Sequence, residues 1–255
     1  MEVLNLKNIV IRKSFLLVFS AVLILLASIQ FLYPFNNYRE IFADFELYKF
    51  GPETVVIDAG HGGEDGGAVS VSGAIESQIN LSIAQRLDLI MGLYGIKTLM
   101  LRDSDISLHS SDAHTIREKK VSDLHNRVKI IQSLDDPVVI SIHQNTYTDR
   151  RYHGAQVFYA NGNLSLPLAD ITQKYLRNSL DPDNTRKPTP IPNTVYLMKH
   201  ITCKAILVEC GFLSNPQEDA LLQTTEYQRK IAAVLACAYM QHKQITQEGE
   251  SVNAS

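Results

Sequence analysis

Three short runs of mainly β-branched residues along the chain each end at an ionisable side chain. The runs begin at positions 55, 138 and 205 and lead to His61, His143 and Glu209. Apolar runs of this length, bounded by turn residues, are typical of buried strands. The pattern therefore predicts three strands that each deliver a polar residue at the carboxyl end.

Helical periodicity alternates with these strands from about residue 53 onward. A glycine-rich loop at residues 60–67 follows the strand that begins at position 55, and a long polar excursion at residues 102–120 follows a further predicted strand at residues 96–101. Loops of that length in a compact domain are usually functional or mobile. The helix between them has one apolar face, made of Ile79, Ile83, Leu87 and Ile90. The other predicted elements are strands at 96–101, 155–159 and 194–198, helices at 121–134, 165–180 and 227–243, and a helix start at Asn215 and Pro216.

This alternation predicts the α/β class: a single-domain, twisted, mostly parallel sheet flanked by helices, preceded by an N-terminal transmembrane helix. Residues 14–33 carry no charge, and about twenty apolar residues suffice to cross a bilayer. Basic residues precede this segment, so we expect residues 1–13 in the cytoplasm and the remainder on the extracytoplasmic side. A cleaved signal peptide, which would make the protein secreted, is the alternative, but no small-x-small cleavage site follows.

The anchor divides the chain into further parts. We expect a stalk at residues 34–51, a catalytic domain at residues 52–243 and a polar tail at residues 244–255. The chain is 45% hydrophobic with a net charge of −3, which suits one well-packed core and disfavours nucleic acid as a partner. The three cysteines lack Cys-x-x-Cys spacing, so we expect core residues without a disulfide framework.

The strand-end residues predict a shared site. In an open α/β sheet, ligands bind in the crevice outside the carboxyl ends of parallel strands. Catalytic zinc takes three nitrogen or oxygen ligands and keeps a position open. Four residues could supply these three ligands, with one carboxylate left for another role. They are His61, His143, Glu209 and Glu76, which lies at a helix start. Each residue alone would more often be structural, although Glu209 should be costly to bury without a partner.

Four motifs resemble those of the zinc-dependent N-acetylmuramoyl-L-alanine amidases, in the same order and at suitable spacing. They lie at residues 56–63, 73–77, 141–145 and 208–216, and the resemblance runs from about residue 55 to 243. It implies zinc (Zn2+) bound by His61, Glu76 and His143, with Glu209 as the catalytic carboxylate. One departure is Ala59, where members of the family commonly carry proline.

Residues 115–124 and 154–159 resemble the germination-specific spore cortex amidases within that family. The implied reaction is hydrolysis of the amide between the lactyl group of N-acetylmuramic acid and L-alanine. Its product would be a substrate for a partner deacetylase that forms muramic-δ-lactam during spore cortex maturation. The expected partners are cortex peptidoglycan, the membrane through the N-terminal helix, an activating protein and that deacetylase.

The chemistry needs a nucleophilic water, a polarised carbonyl and a proton for the leaving nitrogen. Zinc supplies the first two, and Glu209 would move the proton. A zinc peptidase or a deacetylase acting on cell-wall peptides could use the same ligands, and the product would distinguish them. A non-catalytic wall-binding protein is the remaining alternative, disfavoured because all four positions carry competent residues.

Overall fold

The computed structural model describes residues 53–253. The predicted cytoplasmic segment, transmembrane anchor and stalk at residues 1–13, 14–33 and 34–51 lie outside the described residues. Within residues 53–253, no helix combines the length and the apolar character needed to cross a membrane.

A six-stranded sheet forms the centre of the fold. Its order is β2-β1-β3-β6-β4-β5, and all neighbouring strands are parallel except β4 and β6, which are antiparallel. The strands are β1 (Val55–Ala59), β2 (Thr98–Met100), β3 (Val138–Asn145), β4 (Gln156–Tyr159), β5 (Thr189–Pro190) and β6 (Lys204–Phe212). The three strands with polar residues at their ends, β1, β3 and β6, are adjacent in this order, so their carboxyl ends share one edge.

Helices cover both faces of the sheet, which confirms the α/β class. They are α1 (Glu76–Leu93), α2 (Ile116–Gln132), α3 (Leu166–Leu180), α4 (Tyr196–His200), α5 (Pro216–Leu222) and α6 (Thr225–Asn253). Successive residues of β1 serve different cores because strand side chains alternate between the two faces. Val55 and Ile57 belong to the core built with α1, α3 and α6, and Val56 belongs to the core built with α2 and α4.

The predicted apolar face of α1 is confirmed. Ile79, Ile83 and Leu87 are buried, and Ile90 is partly buried against the same core. The helix start at Pro216 is also confirmed, because the Asn215 side chain accepts hydrogen bonds from the backbone N–H groups of Gln217 and Glu218. Such caps satisfy donors that have no partner inside the helix.

One predicted strand, at residues 194–198, is wrong. The segment instead contains helix α4, which begins at Tyr196. Leu197 and Met198 are both buried in the core shared with α2. Adjacent side chains of a strand point to opposite faces, whereas a short helix can turn both toward one core.

Two helix boundaries differ from the prediction. Helix α2 begins at Ile116, because Thr115 and Glu118 form a reciprocal capping box at its amino end. The last residues of the predicted polar excursion are therefore helical. Helix α6 continues to Asn253, through most of the segment that we expected as a polar tail.

The cysteines are free, in agreement with the prediction of no disulfide framework. Cys210 is buried and Cys203 is half-buried, but Cys237 is exposed. The expectation that all three belong to the core is therefore wrong for Cys237. It lies on the outer face of α6, where an apolar run in a long helix does not reveal which side faces solvent.

Candidate metal centre and active site

The carboxyl ends of β1, β3 and β6 bring the predicted residues to one edge of the sheet. His143 lies directly opposite Glu209 in the pairing of β3 with β6. The N–H of Gly60 extends the pairing of β1 with β3 by donating to the Ile142 carbonyl at 3.0 Å. His61 follows at once, and its ring centroid lies 5.0 Å from that of His143.

Glu76, the first residue of α1, joins the two histidines. One ligand atom from each of His61, Glu76 and His143 lies within 4.8 Å of the others, close enough to hold a metal ion. The two carboxylate oxygens of Glu76 are shared between the rings: Oε2 lies 3.4 Å from His61 Nε2, and Oε1 lies 3.1 Å from His143 Nδ1. Three of the four residues that the sequence indicated thus form a group that could hold a metal ion.

Backbone and side-chain donors hold the Glu76 carboxylate in place. The N–H of Ala68 donates to Oε2 at 2.8 Å, and the N–H of Gln144 and the amide of Asn80 donate to Oε1 at 3.1 and 3.2 Å. Burial raises the pKa of Glu76, but its hydrogen bonds from His143 and His61 outweigh burial and hold the pKa well below its usual range. The carboxylate is therefore ionised and oriented toward both imidazoles.

A second carboxylate orients His61 from behind. Asp65 Oδ2 lies 3.0 Å from His61 Nδ1, which leaves Nε2 facing Glu76. A carboxylate on the outer nitrogen is the usual support of a metal-binding histidine, because it fixes the tautomer and the ring direction. Burial lowers the pKa of His61, but the bonds to Asp65 and Glu76 outweigh it and raise the pKa to about 9. The carboxylates of Asp65 and Glu76 that stabilise a proton on His61 would equally stabilise a metal cation in place of that proton.

Two glycines leave room for the cluster. A Cβ atom at Gly60 would lie 2.2 Å from the His143 ring, and one at Gly67 would lie 2.6 Å from Glu76 Oε2. The φ angle of Gly67 is also +70°, in the left-handed region that favours glycine. The glycine-rich loop is therefore shaped as a cradle around the two histidines and Glu76.

Glu209 lies beside this cluster without belonging to it. Its side chain is half-buried, and its Oε2 is fully buried with no hydrogen-bond partner within residues 53–253. Burial raises its pKa to about 7, Glu76 adds to the rise, and the charge of His143 opposes it. A carboxylate without its own ion pair, next to a triad that could hold a metal, is placed to exchange protons with a molecule bound there.

Sequence reasoning missed the residues that support the triad. They are Asp58, Asp65, Asn80, Arg102 and Arg127. Asp58 carries a signal in the sequence, because it is the one charged residue of the first apolar run. The two arginines carry none, since they lie in polar stretches that normally face solvent.

The family comparison decides the class of the protein. The sequence pattern that defines the N-acetylmuramoyl-L-alanine amidase family matches residues 55–239, from the start of β1 to about the middle of α6. The chain belongs to this family. It is an N-acetylmuramoyl-L-alanine amidase, an enzyme that acts on peptidoglycan, as the four motifs of its sequence indicated.

Named relatives agree with this assignment. The chain is 35% identical over 221 residues to the germination-specific N-acetylmuramoyl-L-alanine amidase of Bacillus subtilis, covering 86% of this chain and 89% of that protein. It is 27% identical over 233 residues to the amidase AmiA of Escherichia coli, covering 73% of this chain and 74% of AmiA.

A solved structure supports the fold. The CwlD amidase of Clostridioides difficile, determined in complex with the GerS lipoprotein, matches with a TM-score of 0.73 and 34% identity. The match covers 76% of this chain and all of that chain. The amidase thus shares its central sheet and flanking helices with this solved amidase.

Proposed function

We propose that this amidase hydrolyses the bond between the lactyl group of N-acetylmuramic acid and L-alanine with one zinc ion held by His61, Glu76 and His143. The observation that carries the proposal is the convergence of their three ligand atoms within 4.8 Å. Two imidazoles and one carboxylate are a known catalytic zinc set with a position left open. The glycine cradle and the Asp65 support fit such an ion.

The zinc ion, when bound, supplies Lewis acidity toward the carbonyl oxygen and lowers the pKa of water. The protein supplies the proton transfer. Glu209 faces His143 across the β3–β6 pair and has an unpartnered buried oxygen. Glu209 takes a proton from the attacking water and returns it to the departing alanine nitrogen, so the amide C–N bond breaks with balanced charge.

Product analysis tests this reaction. Purified full-length chain, in detergent, is incubated with peptidoglycan, and the products are examined by mass spectrometry. We expect stem peptides with a free L-alanine amino group and glycan strands with unsubstituted lactyl groups. Release of D-alanine would indicate a peptidase and release of acetate a deacetylase, and either result without free stem peptides would contradict the proposal.

The biological setting that we propose is the spore cortex. It is supported by the similarity to the germination-specific amidase of B. subtilis. Peptide-free muramic acid is then available to a deacetylase that forms muramic-δ-lactam. Spores of a strain lacking the chain should have cortex without the lactam, and the intact gene, but not a Glu209→Gln gene, should restore it. Normal lactam content in the deletion strain would contradict this role.

We also propose that the enzyme has a protein partner, since the similar CwlD amidase was determined in complex with a lipoprotein.

We further propose that residues 14–33 anchor the enzyme with its catalytic domain on the extracytoplasmic side, because this stretch is uncharged and follows basic residues. The full-length protein should remain in the membrane fraction until detergent is added. A mature amino terminus between residues 28 and 34 would show a cleaved signal instead.

The glycine cradle gives a further prediction. Alanine at Gly67 should disturb both ligands, because its Cβ would lie 2.6 Å from Glu76 Oε2 and 2.7 Å from the His61 ring. Gly73 is a matched control, since its φ is +95° but no atom lies within 4 Å of a Cβ added there. Both substitutions should cost about 1–2 kcal/mol of stability for the left-handed backbone. Only Gly67→Ala should weaken zinc binding; equal zinc affinities in the two variants would contradict the cradle.

A further inference from the structure

Two buried arginines meet at the turn that carries His61. Arg102 follows β2 and Arg127 comes from α2, and each is only 2% exposed. Neither belongs to the triad that could hold a metal. Both guanidinium groups donate to backbone carbonyls of the turn after β1.

Arg102 joins that turn to the helix that carries Glu76. Its Nε donates to the Ala59 carbonyl at 2.8 Å, and its Nη2 donates to the carbonyls of Gly60 at 3.0 Å and Ser77 at 2.9 Å. Among the residues that the structure describes, no carboxylate forms an ion pair with Arg102. Its buried charge is therefore compensated mainly by carbonyl dipoles.

Arg127 joins the same turn to β3. Its Nη2 donates to the His61 carbonyl at 2.8 Å and its Nη1 to the Ala59 carbonyl at 3.2 Å. It also pairs with Asp58, whose Oδ2 accepts a 2.6 Å bond from the Ser141 hydroxyl. Ser141 lies two residues before His143, so this chain of contacts links the backbones beneath the two histidines.

Three consecutive carbonyls, those of Ala59, Gly60 and His61, are thus held by guanidinium donors. The backbone at His61 needs such support, because its φ of +62° is left-handed although the residue has a Cβ atom. That conformation costs about 1–2 kcal/mol and persists only where the surroundings impose it. We call Arg102 and Arg127, with the three carbonyls that they hold, the arginine clamp. Gly62 lets the loop pass close to this clamp, since a Cβ there would lie 2.8 Å from Arg102 Nε.

We propose that Arg102 and Arg127 are positioning residues that set metal affinity by fixing the backbone of His61 relative to Glu76 and His143. The inference rests on the proposed zinc site. Lysine keeps the positive charge but lacks the planar fork that reaches several carbonyls at once. Arg102→Lys should therefore retain the fold and lose the alignment of His61.

The test compares Arg102→Lys with Arg177→Lys in the full-length chain. Arg177 is a matched control: its Nε and Nη2 also donate to loop carbonyls, those of Asn184 and Arg186, both at 2.6 Å. Zinc dissociation constants are measured on metal-free protein by competition with a chromophoric chelator, and the thermal midpoint of the metal-free protein is measured alongside. Cobalt(II) is then added in place of zinc, and its visible absorption reports the ligand geometry.

We expect Arg102→Lys to weaken zinc binding about 10- to 100-fold, the usual effect of removing outer support for a ligand, and to shift the cobalt bands. Arg177→Lys should lower the thermal midpoint without changing either metal readout. Arg127→Lys should repeat the loss of affinity and serves if Arg102→Lys does not fold. Unchanged zinc affinity in both folded site variants would overturn the clamp alone, whereas a wild-type chain that binds no zinc would overturn the proposed metal centre with it.

Discussion

Glu209→Gln is expected to retain zinc and to lose amidase turnover by about 100-fold or more, the usual contribution of general acid–base catalysis. Glutamine keeps the shape of the side chain but cannot accept a proton from the attacking water. Zinc should remain, because the ligand cluster consists of His61, Glu76 and His143 without Glu209. The measurement is turnover on a muramyl-peptide together with zinc content by elemental analysis.

Glu53→Gln provides a buried-carboxylate control at the opposite end of β1. Glu53 is 6% exposed and pairs with Lys204 and Lys243 rather than with the catalytic cluster. The Glu53→Gln substitution should lower the stability of the protein and leave the turnover of the folded enzyme unchanged. Near-normal turnover in Glu209→Gln would make Glu209 structural. Loss of zinc from this variant would indicate that Glu209 is itself a ligand, so the roles of Glu76 and Glu209 would have to be revised.

Removal of either histidine is the second change with a large expected effect. His61→Ala or His143→Ala leaves two protein ligands, which no longer form the three-ligand site that catalytic zinc requires. We expect zinc content after dialysis to fall from about one per chain to near zero, with loss of activity. Full zinc occupancy in both variants would contradict the ligand assignment.

His153→Ala is the control for loss of an imidazole. His153 Nδ1 lies 2.9 Å from Asp181 Oδ2, so it has a carboxylate partner as His61 does. Within the described residues it does not belong to the group that could hold a metal. Its removal should leave zinc content and turnover unchanged, which separates a ligand effect from the general effect of losing a histidine–carboxylate pair.

The sheet and the convergence of His61, Glu76 and His143 could be predicted from the sequence because both depend on local patterns with a strong physical cause. β-branched runs form buried strands, and parallel strands deliver the residues after them to the same edge. His61, His143 and Glu209 follow such runs, and their strands are neighbours in the sheet. Glu76 follows from the start of α1, whose apolar face fixes its orientation.

The supporting arginines could not be predicted in this way. Arg102 lies in a polar stretch, and polar stretches usually face solvent. Its guanidinium group donates to the carbonyls of Ala59 and Gly60, and buried carbonyls need such donors. That need appears only after the strands are placed, since Ala59 and Arg102 are 43 residues apart.

The error at residues 194–198 has a similar cause. Val195 favours a strand locally, but burial of both Leu197 and Met198 against α2 favours a helix. Packing against another element decided the local conformation, and a short segment contains too few residues for periodicity to reveal it.

Titration of the metal-free enzyme with zinc tests the central claim most directly. Full-length chain is stripped of metal, zinc is added in steps, and release of stem peptide from a muramyl-peptide is followed at each step. Amidase activity should be absent at the start, rise in proportion to added zinc, and stop rising at about one zinc per chain, as a single three-ligand site requires. Full activity in the metal-free chain would contradict a single zinc centre formed by His61, Glu76 and His143. Activity that continues to rise until two zinc ions per chain have been added would contradict it as well.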